Sequence, residues 1–169
     1  PQAGSSFKPF IYSAAFANGY SGSDKINDAP IIFEDDNLES SWRPENYTGK
    51  FYGPMRLREA LVQSVNLVSI KLLREIGINT AKDFLAKFGF SKPRLAPDLS
   101  LALGSSSFSP AEMNRAYNIL ANSGVGHDLY FIEKIMDRNG NTIFQHPDSK
   151  NKKELERNIN GFPWFNADL

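Results

Sequence analysis

The chain has 169 residues, 41% hydrophobic and 22% charged, an ordinary globular composition with enough length for one domain with its own core. Its 19 basic and 19 acidic side chains leave no net formal charge and no basic stripe, which removes electrostatic support for nucleic-acid binding. The absence of cysteine excludes disulfides and thiolate metal sites, and no apolar run reaches the roughly 18 residues of a membrane-spanning helix.

The first element in chain order is Gly4-Ser5-Ser6-Phe7-Lys8-Pro9-Phe10, opening a helix predicted to run from Phe7 to Ala17. Residues three apart on a helix share a face, so Lys8 can reach back toward the Ser5 hydroxyl. The helix is apolar on nearly every face and is therefore expected to be buried. A lysine there is costly unless desolvation keeps its amine neutral, and a neutral amine can serve a nucleophilic serine as base. Ser5 at the helix N-terminus also meets unpaired N–H groups and the positive end of the macrodipole. The pattern S-x-x-K arises about once by chance in a chain this long, and it recurs at Ser149-Lys150-Asn151-Lys152. That second copy lies in the hydrophilic run Pro147 to Glu154, where Lys152 would keep its proton. We read it as a decoy.

Asn18-Gly19 ends the first helix. Residues Tyr20 to Phe51 read as a long loop, with an acidic cluster Glu34-Asp35-Asp36 and an aromatic stretch Trp42-Arg43-Pro44-Glu45-Asn46-Tyr47. Trp42, Tyr47, Phe51 and Tyr52 either wall a site or pin the loop, and packing is the favoured reading. From Met55 a helical period returns, breaks near Ser64-Val65-Asn66, and resumes from Leu67 to Ile76, closed by Gly77. Asn79-Thr80 can cap a further helix, Ala81 to Phe88, closed by Gly89. Pro93 to Asp98 form a connector, and Leu101-Ala102-Leu103-Gly104-Ser105-Ser106-Ser107 suits a tight approach into the next helix. Ser109-Pro110-Ala111-Glu112 is a capping box opening a helix to about Asn122. Tyr130 to Met136 and Thr142 to Gln145 alternate around Asn139-Gly140, a hairpin signal. His127 and His146 sit in polar surroundings without a partner at ligand spacing. Lys150 to Arg157 read as a solvated charged face. The tally is mostly helix plus one hairpin.

Ser64 and Asn66 share a break between two helices. On extended backbone, a hydroxyl and an amide two apart project similarly. The serine can relay a proton, while the amide can donate to a carbonyl and hold an amine. The alternative is a plain polar turn.

Both motifs in order, S-x-x-K then S-x-N, belong to the pattern of penicillin-binding serine transpeptidases. Together with Trp42 to Tyr47, Gly53-Pro54-Met55-Arg56-Leu57-Arg58-Glu59-Ala60-Leu61, Leu101 to Gly104 and Ser109-Pro110-Ala111-Glu112-Met113, they give a specific match. The chain resembles the bifunctional class A penicillin-binding proteins of the 1A type over roughly Pro1 to Gln145. The resemblance implies an α+β, β-lactamase-like transpeptidase fold, of which this chain supplies mainly the helical part plus a hairpin. It implies one domain over residues 1–169, incomplete at both ends, with a poorly readable polar segment over 147–169. The chain also begins without methionine and without a signal peptide, and is expected to be a piece of something longer.

The implied activity is D,D-transpeptidation that cross-links peptidoglycan stem peptides. Ser5 would attack the D-Ala-D-Ala carbonyl, Lys8 would be its base, and Ser64 would relay the proton to the leaving amine. Asn66 would bind the substrate's amide backbone and help fix Lys8. β-Lactams would acylate Ser5 as mimics. No cofactor or metal is implied. The expected location is the periplasmic face of the bacterial inner membrane, with membrane contact only through an N-terminal anchor outside this chain. A glycosyltransferase domain and cell-wall synthesis partners are expected of the whole protein. One departure is large: the family's K-[ST]-G strand is missing, and the nearest string, Lys87-Phe88-Gly89, is a helix end. In the family that strand gives a cationic group and half of the oxyanion hole, the Ser5 N–H being the other half. Loss of one oxyanion donor costs about 10²–10³ in rate, so the 169-residue segment alone is expected to be inactive. Two alternatives stay open. A serine β-lactamase needs a deacylating glutamate past the S-x-N motif, which Asp98 to Ser109 does not offer. A penicillin-sensing or scaffold domain would acylate without turnover.

Overall fold

A computed structural model of the chain describes residues 1–31 and 42–147. The acidic cluster Glu34-Asp35-Asp36, the second S-x-x-K at Ser149 to Lys152, and the charged run from Lys150 lie outside the described residues. The chain divides into two compact units, Pro1–Phe108 and Ser109–Leu169.

In the first unit, α1 (Lys8–Ala17) follows a 3₁₀ turn, Gly4–Phe7, and ends where Asn18 and then Gly19 leave the helix. Its two sides serve two cores. Phe7 and Phe10 enter an aromatic cluster with Phe88, Phe90 and Phe108, including Phe7 stacked on Phe108 at 5.6 Å and Phe10 edge-on to Phe88 at 5.2 Å. Tyr12 and Ala15 enter an aliphatic core with Ile26, Met55, Leu57, Ala60, Val65, Val68 and Leu72. This is the buried central helix that the sequence pattern predicts.

The loop reading of Tyr20 to Phe51 needs one correction. Lys25–Asp28 forms a strand, β1, antiparallel to β2 (Gly53–Arg56), with Ile26 opposite Met55. Four residues with a single inward apolar side chain give no readable alternation, and the partner is supplied only after a long excursion. Among the described residues there are therefore two small sheets, where helices plus one hairpin are expected.

Then come α2 (Leu57–Val62), α3 (Asn66–Ile76) and α4 (Ile78–Leu85). Gly77 closes α3 with φ 86° and at once precedes α4, so Asn79 and Thr80 lie inside that helix instead of capping it. Ala86–Phe88 continues as a 3₁₀ turn closed by left-handed Gly89, which makes Lys87-Phe88-Gly89 a helix end as expected. The described part of the second unit holds α5 (Pro110–Ala121) and a hairpin of β3 (Lys134–Met136) and β4 (Thr142–Gln145). The capping box is formed: the Glu112 N–H donates to Ser109 Oγ, and the Ser109 N–H donates to Glu112 Oε2 at 2.7 Å. In the turn, Asp137 accepts from the N–H groups of Asn139 and Asn141. The mixed, mostly helical content agrees with the α+β class.

Candidate active site

Lys8 opens α1 and is 1% exposed. Burial disfavours its charged form and pushes its pKa down from 10.5 to about 8. The amine is fully engaged. It donates to the Ser64 carbonyl at 2.5 Å, to Ser64 Oγ at 3.0 Å and to Asn66 Oδ1 at 2.7 Å. An ammonium has three protons, and all three point into the S-x-N turn. The sequence spacing directs Lys8 toward Ser5, whereas the hydrogen bonds of its amine run to α3 and the turn before it.

That turn is not extended at Ser64, as the sequence reading assumes. Ser64 lies in the left-handed region with φ 55°, Val65 is extended at φ −67° and ψ 127°, and Asn66 is the first residue of α3. The reversal lets both the carbonyl and the hydroxyl of Ser64 face the same amine as Asn66. Val65, 3% exposed, anchors it in the aliphatic core, and Ser69 Oγ donates to the Val65 carbonyl at 2.7 Å.

Ser5 lies on the 3₁₀ turn and is exposed. In the first turn its N–H has no carbonyl partner within the helix. The strand-like approach to it is clasped by the segment after Leu103. The N–H groups of Gly4 and Ala3 donate to the carbonyls of Gly104 and Ser106 at 3.0 and 3.1 Å, and Gln2 pairs with Ser107. Gly104 has φ 71°, and a Cβ there would stand 2.1 Å from the Gly4 carbonyl oxygen. The glycine of Leu101 to Gly104 thus serves the approach to Ser5, rather than the approach to the capped helix expected from sequence.

Ser5, Ser64 and Asn66 line one pocket of about 310 Å³ with Asn46, Tyr47, Thr48, Tyr52, Gln63 and Val65. The structure thus brings Lys8, Ser64 and Asn66 into direct contact and places Ser5 on the same pocket. Tyr47 is fully exposed and Tyr52 46% exposed, so these two wall the pocket, whereas the sequence reading favoured packing. His127 lies 3.1 Å from the Asn122 amide, and His146 stacks on Tyr130.

Two buried polar residues at the pocket, Asn46 in its lining and Asp28 bonded to Asn46, escaped the sequence reading. Asn46 and Asp28 are buried at 6% and 1% exposure and hydrogen-bonded to each other. Asn46 stood in plain view in an aromatic stretch read for its rings. A short amide amid aromatics is a cue for a buried hydrogen-bond hub. Asp28 lay in the unrecognised β1 and carried no cue.

Chemically, the amine can exist in two useful states. Protonated, it saturates the acceptors of Ser64 and Asn66. Neutral, it offers a lone pair in place of one donor, and a hydroxyl proton can move onto it. Its lowered pKa makes the neutral state accessible near physiological pH.

A family model described as the penicillin-binding protein transpeptidase domain matches residues 2–160. The chain is 47% identical over 144 residues to penicillin-binding protein 1A of Pseudomonas aeruginosa, covering 85% of this chain and 18% of that protein. Among solved structures it is similar to penicillin-binding protein 1A from Haemophilus influenzae, with TM-score 0.82 and 40% identity over 86% of this chain and 22% of the other. It is also similar to the PonA1 protein from Mycobacterium tuberculosis in complex with penicillin V, with TM-score 0.71 and 25% identity, covering 86% of this chain and 41% of that one.

Proposed function

The chain belongs to the penicillin-binding protein transpeptidase family, and from that premise we propose that it carries the acyl-transfer centre of a peptidoglycan cross-linking enzyme, with Ser5 as nucleophile. The chain spans 18% of the length of the Pseudomonas aeruginosa relative, so the activity belongs to the whole protein. The observation that carries the reading is the buried Lys8 amine, held by Ser64 and Asn66, which line one pocket with the exposed Ser5.

In this mechanism Lys8, neutral, takes the proton from Ser5 Oγ as that oxygen attacks the carbonyl between the two D-alanines of a stem peptide. The tetrahedral oxyanion is stabilised by the Ser5 N–H. The C–N bond breaks, D-alanine leaves with a proton relayed from Lys8 through Ser64 Oγ, and an ester joins the peptide to Ser5. A neighbouring stem-peptide amine then attacks the ester, passes its proton back along the same route, and frees the Ser5 hydroxyl. Asn66, already holding Lys8 through Oδ1, has its Nδ2 on the Glu45 carbonyl at 2.9 Å, close to where a substrate amide would bind. A β-lactam follows the first half of this path; its ring opens and the acyl group stays on Ser5. The whole protein would act at the periplasmic face of the bacterial inner membrane. Among the described residues no helix is long and apolar enough to cross a membrane.

Labelled penicillin given to the whole protein tests the reading. Peptide mapping by mass spectrometry should place the label on Ser5, and Ser5→Ala should abolish it. Label on Ser149, or label that survives Ser5→Ala, would refute the assignment.

A further inference from the structure

Val65, the residue before α3, has no side-chain cap to offer the helix. The first N–H groups of a helix have no carbonyl partner of their own, and buried ones must be satisfied from elsewhere. Here the cap comes from a distant loop. Asn46 Oδ1 accepts from the N–H of Asn66 at 3.0 Å and from that of Leu67 at 3.2 Å. The other end of the amide is equally committed. Asn46 Nδ2 donates to both carboxylate oxygens of Asp28 and to the Lys50 carbonyl, each at 2.9 Å. A carboxylate and a carbonyl on one side and two N–H donors on the other leave the amide one orientation.

Asp28 in turn is fixed from both flanks. Its Oδ2 accepts from the N–H of Tyr52, a residue of the pocket wall, at 2.9 Å. Lys71 Nζ donates to the carbonyls of Asn27 and Ala29, the neighbours of Asp28 in the chain. One buried amide therefore joins β1, the wall loop and the first turn of α3, which is the turn that presents Asn66 Oδ1 to Lys8.

We propose that Asn46 is a positioning residue for the acyl transfer, holding the first turn of α3 so that Asn66 and Lys8 meet, with Asp28 setting the direction of its amide. This rests on the acyl-transfer reading of the pocket. Asn46 forms and breaks no bond. Its contribution is geometric, and a misplacement of about 1 Å in such a constellation costs roughly 10²-fold.

Three variants of the whole protein test it, each read as a second-order rate of acylation by labelled penicillin, with melting followed in parallel. Asn46→Ala should acylate about 10- to 100-fold more slowly at temperatures where it remains folded. Asn46→Asp should lose more, because a carboxyl oxygen would face the Asp28 carboxylate and the Lys50 carbonyl, where the amide nitrogen donates to both. The double variant Asp28→Asn with Asn46→Asp restores one donor opposite one acceptor, and should regain at least about tenfold over Asn46→Asp alone. A role in stability only would lower melting and leave the rate of the folded protein unchanged. Acylation of Asn46→Asp near the wild-type rate, or a double variant no faster than Asn46→Asp, overturns the proposal. Ser5→Ala run alongside separates the two ideas. If it keeps the label, the acyl-transfer reading falls and this proposal with it; if it loses the label while the Asn46 variants acylate normally, only this proposal falls.

Discussion

On one side of the pocket Lys8, Ser64, Asn66, Asn46 and Asp28 are fixed to one another through side-chain hydrogen bonds running into the interior. On the other side Ser5 sits on a turn fixed by backbone: Ala3 and Gly4 bonded to Ser106 and Gly104, over the stacked rings of Phe7 and Phe108. In the proposed mechanism the first side places the proton acceptor, whose direction is set by its hydrogen-bond partners, and the second places the nucleophile, which must stay open to substrate and so is held from beneath. Chemical substitutions should therefore harm the first side, and added volume the second.

Lys8→Ala gives the largest expected loss, on the order of 10⁴-fold or more in acylation rate, as removal of a member of a catalytic unit does. Ser64→Ala keeps the Lys8 bonds to the Ser64 carbonyl and to Asn66, and should lose roughly the 10²–10⁴ of one proton-transfer step. Both are read by stopped-time labelling with penicillin. On the backbone side, Gly104→Ala drives a Cβ to 2.1 Å from the Gly4 carbonyl oxygen and should cost on the order of 3 kcal/mol or more of domain stability. Gly4→Ala is its control: φ is also positive, at 57°, but nothing lies within 4 Å, so about 1–2 kcal/mol of backbone strain is all that is expected. Thermal melting of the two variants separates contact from strain; equal losses would erase the distinction.

A further effect is expected in the pH dependence of stability. Burial lowers the folded-state pKa of Lys8 to about 8 against 10.5 for the free side chain. Between these values the unfolded chain holds the proton more firmly, so stability should rise as pH goes from about 8 to 10.5. Lys8→Met removes that rise, which urea unfolding across the interval would detect.

Helices with strong boundaries were readable from sequence, because the determinants are local. The capping box at Ser109, the closing glycines Gly77 and Gly89, and the Asn139-Gly140 turn act within a few residues of where they stand. The Ser5–Lys8 pair stood out because its lysine interrupts an apolar helix. What stayed hidden is non-local. Strand β1 exists through its pairing with β2, Gly104 is a glycine because of Gly4, and Asn46 caps a helix twenty positions on. None of these partners can be found by period or spacing. The left-handed Ser64 was hidden for another reason, since serine has no preference for that conformation and is held there by the Lys8 bonds and the packing of Val65.

The central claim is that the amine held by Ser64 and Asn66 is the base for Ser5. The most direct measurement is the acylation rate of the whole protein against pH, for wild type and Lys8→Arg. The account predicts that the wild-type rate climbs with pH through about 8, the value to which burial pushes Lys8, as the neutral amine becomes populated. It predicts that Lys8→Arg falls nearly as far as Lys8→Ala, because a guanidinium keeps its proton throughout the range. A Lys8→Arg protein that acylates near the wild-type rate, with the same rise through that pH, would make Lys8 a charge beside the site and place the base elsewhere.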